Sequence, residues 1–181
     1  MTLILLGLIL WSGSHLWKRL APQSREAAGS RGRTFVAVLS ILGIVCMVIG
    51  YRIADGTFFW GDSPMKTGIN NLLVFFAFYL FAASAKGTRV TRAIRHPQLT
   101  AVILWAVAHL LVNGDTPSFL LFGGLLVWAV AEIVLLNQAL GPRGVYHAPP
   151  IKSEIIAVVA TLVVFGVAAS IHIALGYNPF G

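Results

Sequence analysis

Charge is what this sequence most lacks. Only 10% of its 181 residues are Asp, Glu, Lys or Arg, six of them acidic, while 57% are hydrophobic. An ordinary soluble domain carries about a quarter of its residues charged, so that class is excluded. The single cysteine, Cys46, sits inside an apolar run, which excludes an intrachain disulfide and leaves the thiol to packing. No zinc-ligand spacing, phosphate-cradling glycine loop or Ser-His-Asp pattern is present. The start, MTLILLGLILW, lacks a basic n-region and an A-x-A-like cleavage site, so it reads as a first span rather than a cleaved signal. Internal repeats and low-complexity tracts are absent too.

Long apolar runs are what the chain has instead. A bilayer-crossing helix takes ~20 mostly apolar residues, and the runs fall at about 2–17, 34–54, 68–85, 97–112, 117–137 and 154–175. Helices satisfy their own backbone in lipid, so the expected fold is all-α: one polytopic domain, an integral membrane bundle of about six transmembrane helices. The net charge of +7 does not point to nucleic acid, because the basic residues lie in short loops between apolar runs. Lys18, Arg19, Arg25, Arg31 and Arg33 follow the first run, Lys86, Arg89, Arg92 and Arg95 the third, and Arg143 and Lys152 the fifth. Only Arg52 and Lys66 occupy the alternate loops, beside Asp55, Asp62 and Asp115. The positive-inside rule then places both termini outside, in the periplasm for a bacterial inner membrane. Phe58, Phe59 and Trp60 suit the headgroup level of that far side.

Ionisable groups within membrane runs are costly and are functional candidates by default. Here they are His15, His109, Glu132 and His172, with His96 at a helix entrance and His147 in a loop. The stretch Arg95 to Asp115, RHPQLTAVILWAVAHLLVNGD, has no charged residue between its ends. His96 and His109 cannot share one metal, since thirteen residues of helix separate them by ~20 Å. Arg95-His96-Pro97 reads as a helix entrance, either anchored on lipid phosphates or binding a ligand. Trp105, His109 and Asn113 share a helix face at i, i+4 and i+8, and Asn113 is placed to orient the imidazole. The plainer reading is that His109 ties two helices together. Trp11 and His15 repeat the Trp-x-x-x-His spacing on the first run, flanked by Ser12 and Ser14. Two such imidazoles from separate helices would suit the iron of a haem. A shared haem requires the fourth span to start near Arg92 or the first to sit deeper. Glu132, four residues after Trp128, needs a partner or water, and Arg92 or Arg95 is the expected partner. His172 reads as interfacial.

The segments RHPQLTAVILWAVAHLLVNGD and LLFGGLLVWAV, with GSHLWKRLAP closing the first run, resemble the NnrU family of bacterial membrane proteins. That family takes its name from an association with nitrite and nitric oxide reduction in denitrifiers. It is similar in turn to plastid 15-cis-ζ-carotene isomerase, which carries haem b on axial histidines. The resemblance implies that His109 and His15 stand where those ligands do, and that haem b is the cofactor. It departs at Ala106, where the isomerase has a cysteine three residues before the histidine. The chemistry it implies is haem-linked, redox or isomerase-like, on an apolar substrate. A shorter resemblance, limited to Arg95-His96-Pro97, links the chain to isoprenylcysteine carboxyl methyltransferases and membrane sterol reductases, which bind a soluble cofactor there. A third expectation is non-enzymatic: an assembly or sensing partner of respiratory reductase subunits.

Overall fold

The structure is a computed structural model that describes residues 1–142, 144 and 146–181. Arg143, one of the basic loop residues, lies outside the described residues. Each of the six apolar runs is helical: α1 (Thr2–Leu20), α3 (Gly29–Ile53), α4 (Pro64–Lys86), α5 (Pro97–Val112), α6 (Thr116–Leu140) and α7 (Ile151–Ala174). Between α1 and α3 lies α2 (Pro22–Ala27), a short exposed helix in what the sequence presents as a loop. Pro22 starts it, because proline's missing N–H costs nothing at a first helical position.

Among the described residues four helices, α3, α4, α6 and α7, are long and apolar enough to cross a membrane. The apolar α5 has 16 residues, ~24 Å of rise, short of the ~30 Å hydrocarbon core. The second half of α1 carries Ser12, Ser14, His15, Lys18 and Arg19, so its apolar part is brief.

The chain divides into two compact units, each made of two pieces of sequence. Unit 1 comprises residues 1–59 and 114–141. There α1 packs on both α3 and α6, and its approach to α3 is set by glycine. A Cβ at Gly7 would lie 2.6 Å from the carbonyl oxygen of Gly43 and 2.5 Å from Met47 Cγ. Backbone therefore meets backbone. Lipid is as apolar as leucine and does not drive helices together, so close van der Waals contact across small residues does. A two-residue strand β2 (Gly114–Asp115) pairs with β1 (Phe58–Trp60), and the Thr116 N–H donates to the Thr57 carbonyl at 3.0 Å. Asp115 caps α6 by accepting from the Ser118 N–H at 2.8 Å and the Ser118 hydroxyl at 3.0 Å. The Tyr51 hydroxyl from α3 completes this buried network at 2.8 Å from Ser118 Oγ.

Unit 2 comprises residues 60–113 and 142–181. Here α4 packs against both α5 and α7, around Ala77, Leu80 and Ala101 with Tyr79, Leu104 and Trp105 against them. Ser63 caps α4 and Gly87, at φ 66°, ends it. A 3-10 turn over Arg89–Arg92 leads to α5. Hydrogen bonds fix the helix directions. Asn71, near the start of α4, donates to Pro179 O beyond α7 at 2.8 Å, and Trp60 Nε1 donates to Leu110 O at 3.2 Å. Both α5 and α7 therefore run antiparallel to α4.

Candidate functional site

The polar chemistry of unit 1 lies where α1 faces α6. Trp11, His15 and Arg19 stand one turn apart on α1, and Trp128 and Glu132 one turn apart on α6. The His15 ring stacks on Trp11 at 4.2 Å between centroids and meets Trp128 edge-on at 5.2 Å. Trp11 and Trp128 touch each other edge-to-face at 5.4 Å. His15 Nδ1 lies 2.8 Å from the Trp11 carbonyl oxygen. A carbonyl only accepts, so Nδ1 carries the proton and Nε2 the lone pair of the neutral ring. The buried indole N–H groups of Trp11 and Trp128 have no hydrogen-bond partner among the described residues.

Glu132 is buried, and Arg19 Nε donates to its Oε2 at 3.1 Å. This corrects the expected partner: it is Arg19 on the packed neighbour α1, not Arg92 or Arg95. The pairing spans 113 residues of sequence, and only the α1–α6 contact makes it local in space. Ser14, also buried, donates to the same Trp11 carbonyl at 2.9 Å, so that oxygen accepts from both side chains.

Unit 2 repeats the motif on α5. His109 Nδ1 lies 2.8 Å from the Trp105 carbonyl oxygen, and the rings of Trp105 and His109 stack at 4.8 Å. Asn113 does not orient the ring as the spacing implied. It stands at the end of α5 and its amide donates to the backbone carbonyl of His109 at 3.0 Å, capping the helix. Nδ1 is instead held by the carbonyl one turn back. His172 makes the same bond, to Ala168 O at 2.8 Å, but it is exposed and has no indole one turn before it. The carbonyl contact alone is thus a general habit of helical histidine, and the stacked indole is what marks His15 and His109. His96 is the N-cap residue of α5, and its carbonyl accepts from the Thr100 N–H at 2.9 Å and hydroxyl at 3.0 Å. Arg95 and His96 are half-buried at that entrance.

His15 lies in unit 1 and His109 in unit 2. α5 begins at Pro97, with Arg89–Arg92 in a separate turn, while α1 continues to Leu20, ~7.5 Å of rise beyond His15. Among the described residues no three His, Cys, Asp or Glu side chains gather as a metal cluster. A porphyrin would supply four of its iron's ligands, leaving the protein to offer imidazoles with Nε2 as the lone-pair nitrogen and Nδ1 held. Both indole-stacked histidines meet that requirement. The two orphaned indole N–H donors beside His15 also fit a group that brings hydrogen-bond acceptors, as haem carboxylates do.

Fold and site define an all-α membrane protein with indole-stacked histidines on its helices. The chain belongs to the NnrU family: residues 3–179 match the family described as NnrU protein. No curated protein and no solved structure matches it.

Proposed function

We propose that this chain is a haem b protein of the bacterial inner membrane in which His15 and His109 are the axial ligands. The observation that carries the reading is the repeated unit of Trp, carbonyl and imidazole on α1 and α5, with Nδ1 at 2.8 Å from its carbonyl in both. Holding Nδ1 fixes the tautomer, aims the ring and raises the basicity of Nε2. Trp11 and Trp105 keep the rings in place and dry. Asn113 secures the helix end beside His109, while Arg95 and His96 stand at the opposite end of α5.

When bound, the haem supplies the redox or Lewis-acid chemistry, and the protein supplies ligands and an apolar surround. The activity this supports is an isomerase-like or redox reaction on an apolar molecule, or haem-linked support of nitrite and nitric oxide reduction beside respiratory reductase subunits. The proposal includes six spans in one polytopic domain, with both termini periplasmic.

The test is an absorbance spectrum of the purified protein, oxidised and dithionite-reduced, with a pyridine haemochrome assay. A stoichiometric b-type spectrum that collapses in His15→Ala and in His109→Ala, and persists in His96→Ala, is expected. A protein that stays colourless after haem is supplied overturns the reading. A b-type spectrum that survives His15→Ala keeps the haem and removes that ligand.

A further inference from the structure

We infer that the end of unit 2 where α4 turns into α5 and α7 begins is a binding face for the phosphate headgroup of an anionic phospholipid. Lys86, Arg89, Arg92 and Arg95 lie within ten residues of one another at this end. Lys152 joins them from the first turn of α7, because the Arg89 N–H donates to Glu154 Oε1 at 2.6 Å. Arg92 stacks over Tyr146, 5.8 Å from its centroid, just ahead of α7.

Lys86, Arg89 and Lys152 thus stand around the carboxylate of Glu154. That carboxylate is already engaged by neutral donors, since the Tyr79 hydroxyl holds Glu154 Oε2 at 3.2 Å while the Arg89 backbone holds Oε1. The exposed side chains of Lys86, Arg89 and Lys152 make no ion pair among the described residues. In unit 1, Arg19 is paired with Glu132 and Arg25 lies over Trp17 at 5.6 Å, while the exposed Arg31 and Arg33 are cations without an apolar helix face beside a held carboxylate and so serve as the control.

Phosphate answers this charge, and the surface beside it selects a lipid over a soluble anion. Directly beyond Lys152, α7 exposes Ile155, Val158, Val159 and Leu162 in a continuous apolar face. A molecule with a phosphate at one end and acyl chains at the other meets both at once. Basic clusters at the ends of membrane helices attract anionic headgroups with about a kcal/mol per cation, or about fivefold each. The inference is independent of the haem reading.

The test uses the full chain in detergent with mixed phosphatidylglycerol and phosphatidylcholine, reading retained lipid by native mass spectrometry. Preference for phosphatidylglycerol by at least about tenfold is expected, falling toward parity in the triple variant Lys86→Gln/Arg89→Gln/Lys152→Gln. None of these side chains is buried, so the variant folds, and an unchanged elution profile checks that. A triple variant that keeps the preference overturns the proposal. So does Arg31→Gln/Arg33→Gln in unit 1, if it weakens retention as much, because net charge is then the cause. Inorganic pyrophosphate is the soluble probe: if it binds without lipid, displaces phosphatidylglycerol and loses both effects in the triple variant, the site takes a soluble anion and the lipid assignment falls.

Discussion

Unit 1 and unit 2 each join three long helices, two of them long and apolar enough to cross a membrane, and they do so by different means. Unit 1 brings backbones together: Gly7 and Gly43 let the backbones of α1 and α3 approach each other closely, beside Met47. It also turns its polar chemistry inward, with Arg19 on Glu132 and His15 between two indoles. Unit 2 packs alanine, leucine and aromatic side chains in its middle and ties its ends with polar groups, Glu154 at one and Asn71 at the other. In lipid the hydrophobic effect gives helices no reason to associate, so contact geometry and buried hydrogen bonds have to. The two units show both answers in one chain.

The comparison breaks most visibly at the glycine contact. In Gly7→Val the new Cβ meets the Gly43 carbonyl oxygen and the Met47 nitrogen, neither of which can rotate away. Separation of α1 from α3 is expected, at more than about 3 kcal/mol, beyond the usual range for overpacking because the obstacle is backbone. Unfolding in mixed micelles reads it, and a variant as stable as the parent would show that α1 and α3 do not touch in this way.

Next in size is the ion pair. Arg19→Met leaves the Glu132 carboxylate buried without its cation, a change that costs about 2 kcal/mol once the partial exposure of Arg19 is discounted. Glu132→Gln, which leaves the more exposed partner behind, costs less, and the double variant regains most of the loss. A double-mutant cycle measures the coupling, and strictly additive losses would mean that the pair does not form.

How much of the molecule is legible in the sequence differs between the levels of structure. The six long helices among the described residues lie where apolar runs between charged loops put them, and 97–112 coincides with α5. Apolarity is a local signal, so a single window suffices to see it. The small features escape. α2 is six residues with none buried and no apolar face, and the β1–β2 pairing joins residues more than fifty positions apart. At the site, the Trp-x-x-x-His spacing is legible because i and i+4 are neighbours on any helix. The Glu132 partner is not, because choosing among Arg19, Arg92 and Arg95 takes knowledge of which helices touch. Asn113 misleads because the spacing is right while the helix ends there, so its amide caps the backbone. The division into two units, each sewn from two segments, leaves no mark in composition at all.

In unit 2 the comparison sharpens at Glu154. Tyr79→Phe removes one of two donors to a carboxylate that keeps the Arg89 N–H, so a loss of about 1 kcal/mol is expected. Glu154→Ala strands both donors and should cost more than Tyr79→Phe. Equal costs would show that the Arg89 N–H contact contributes nothing.

The smallest effect is expected at Gly166, where the same residue type serves no contact. An added Cβ there meets nothing within 4 Å, and the groove beside it is lined by Leu162, Val163, Val167, Ser170, Ile171 and Ala174 of α7 itself. Gly166→Ala therefore changes stability by less than about 0.5 kcal/mol, with a slight gain from helix propensity offset by the lipid contact it displaces. Set beside Gly7→Val, the result separates two roles of glycine in membrane helices. At Gly7 the absent side chain is the contact, whereas at Gly166 the helix simply faces lipid. A large loss in Gly166→Ala under monomeric conditions would mean that another helix of the chain reaches α7 there, and the packing assigned to unit 2 would need revision.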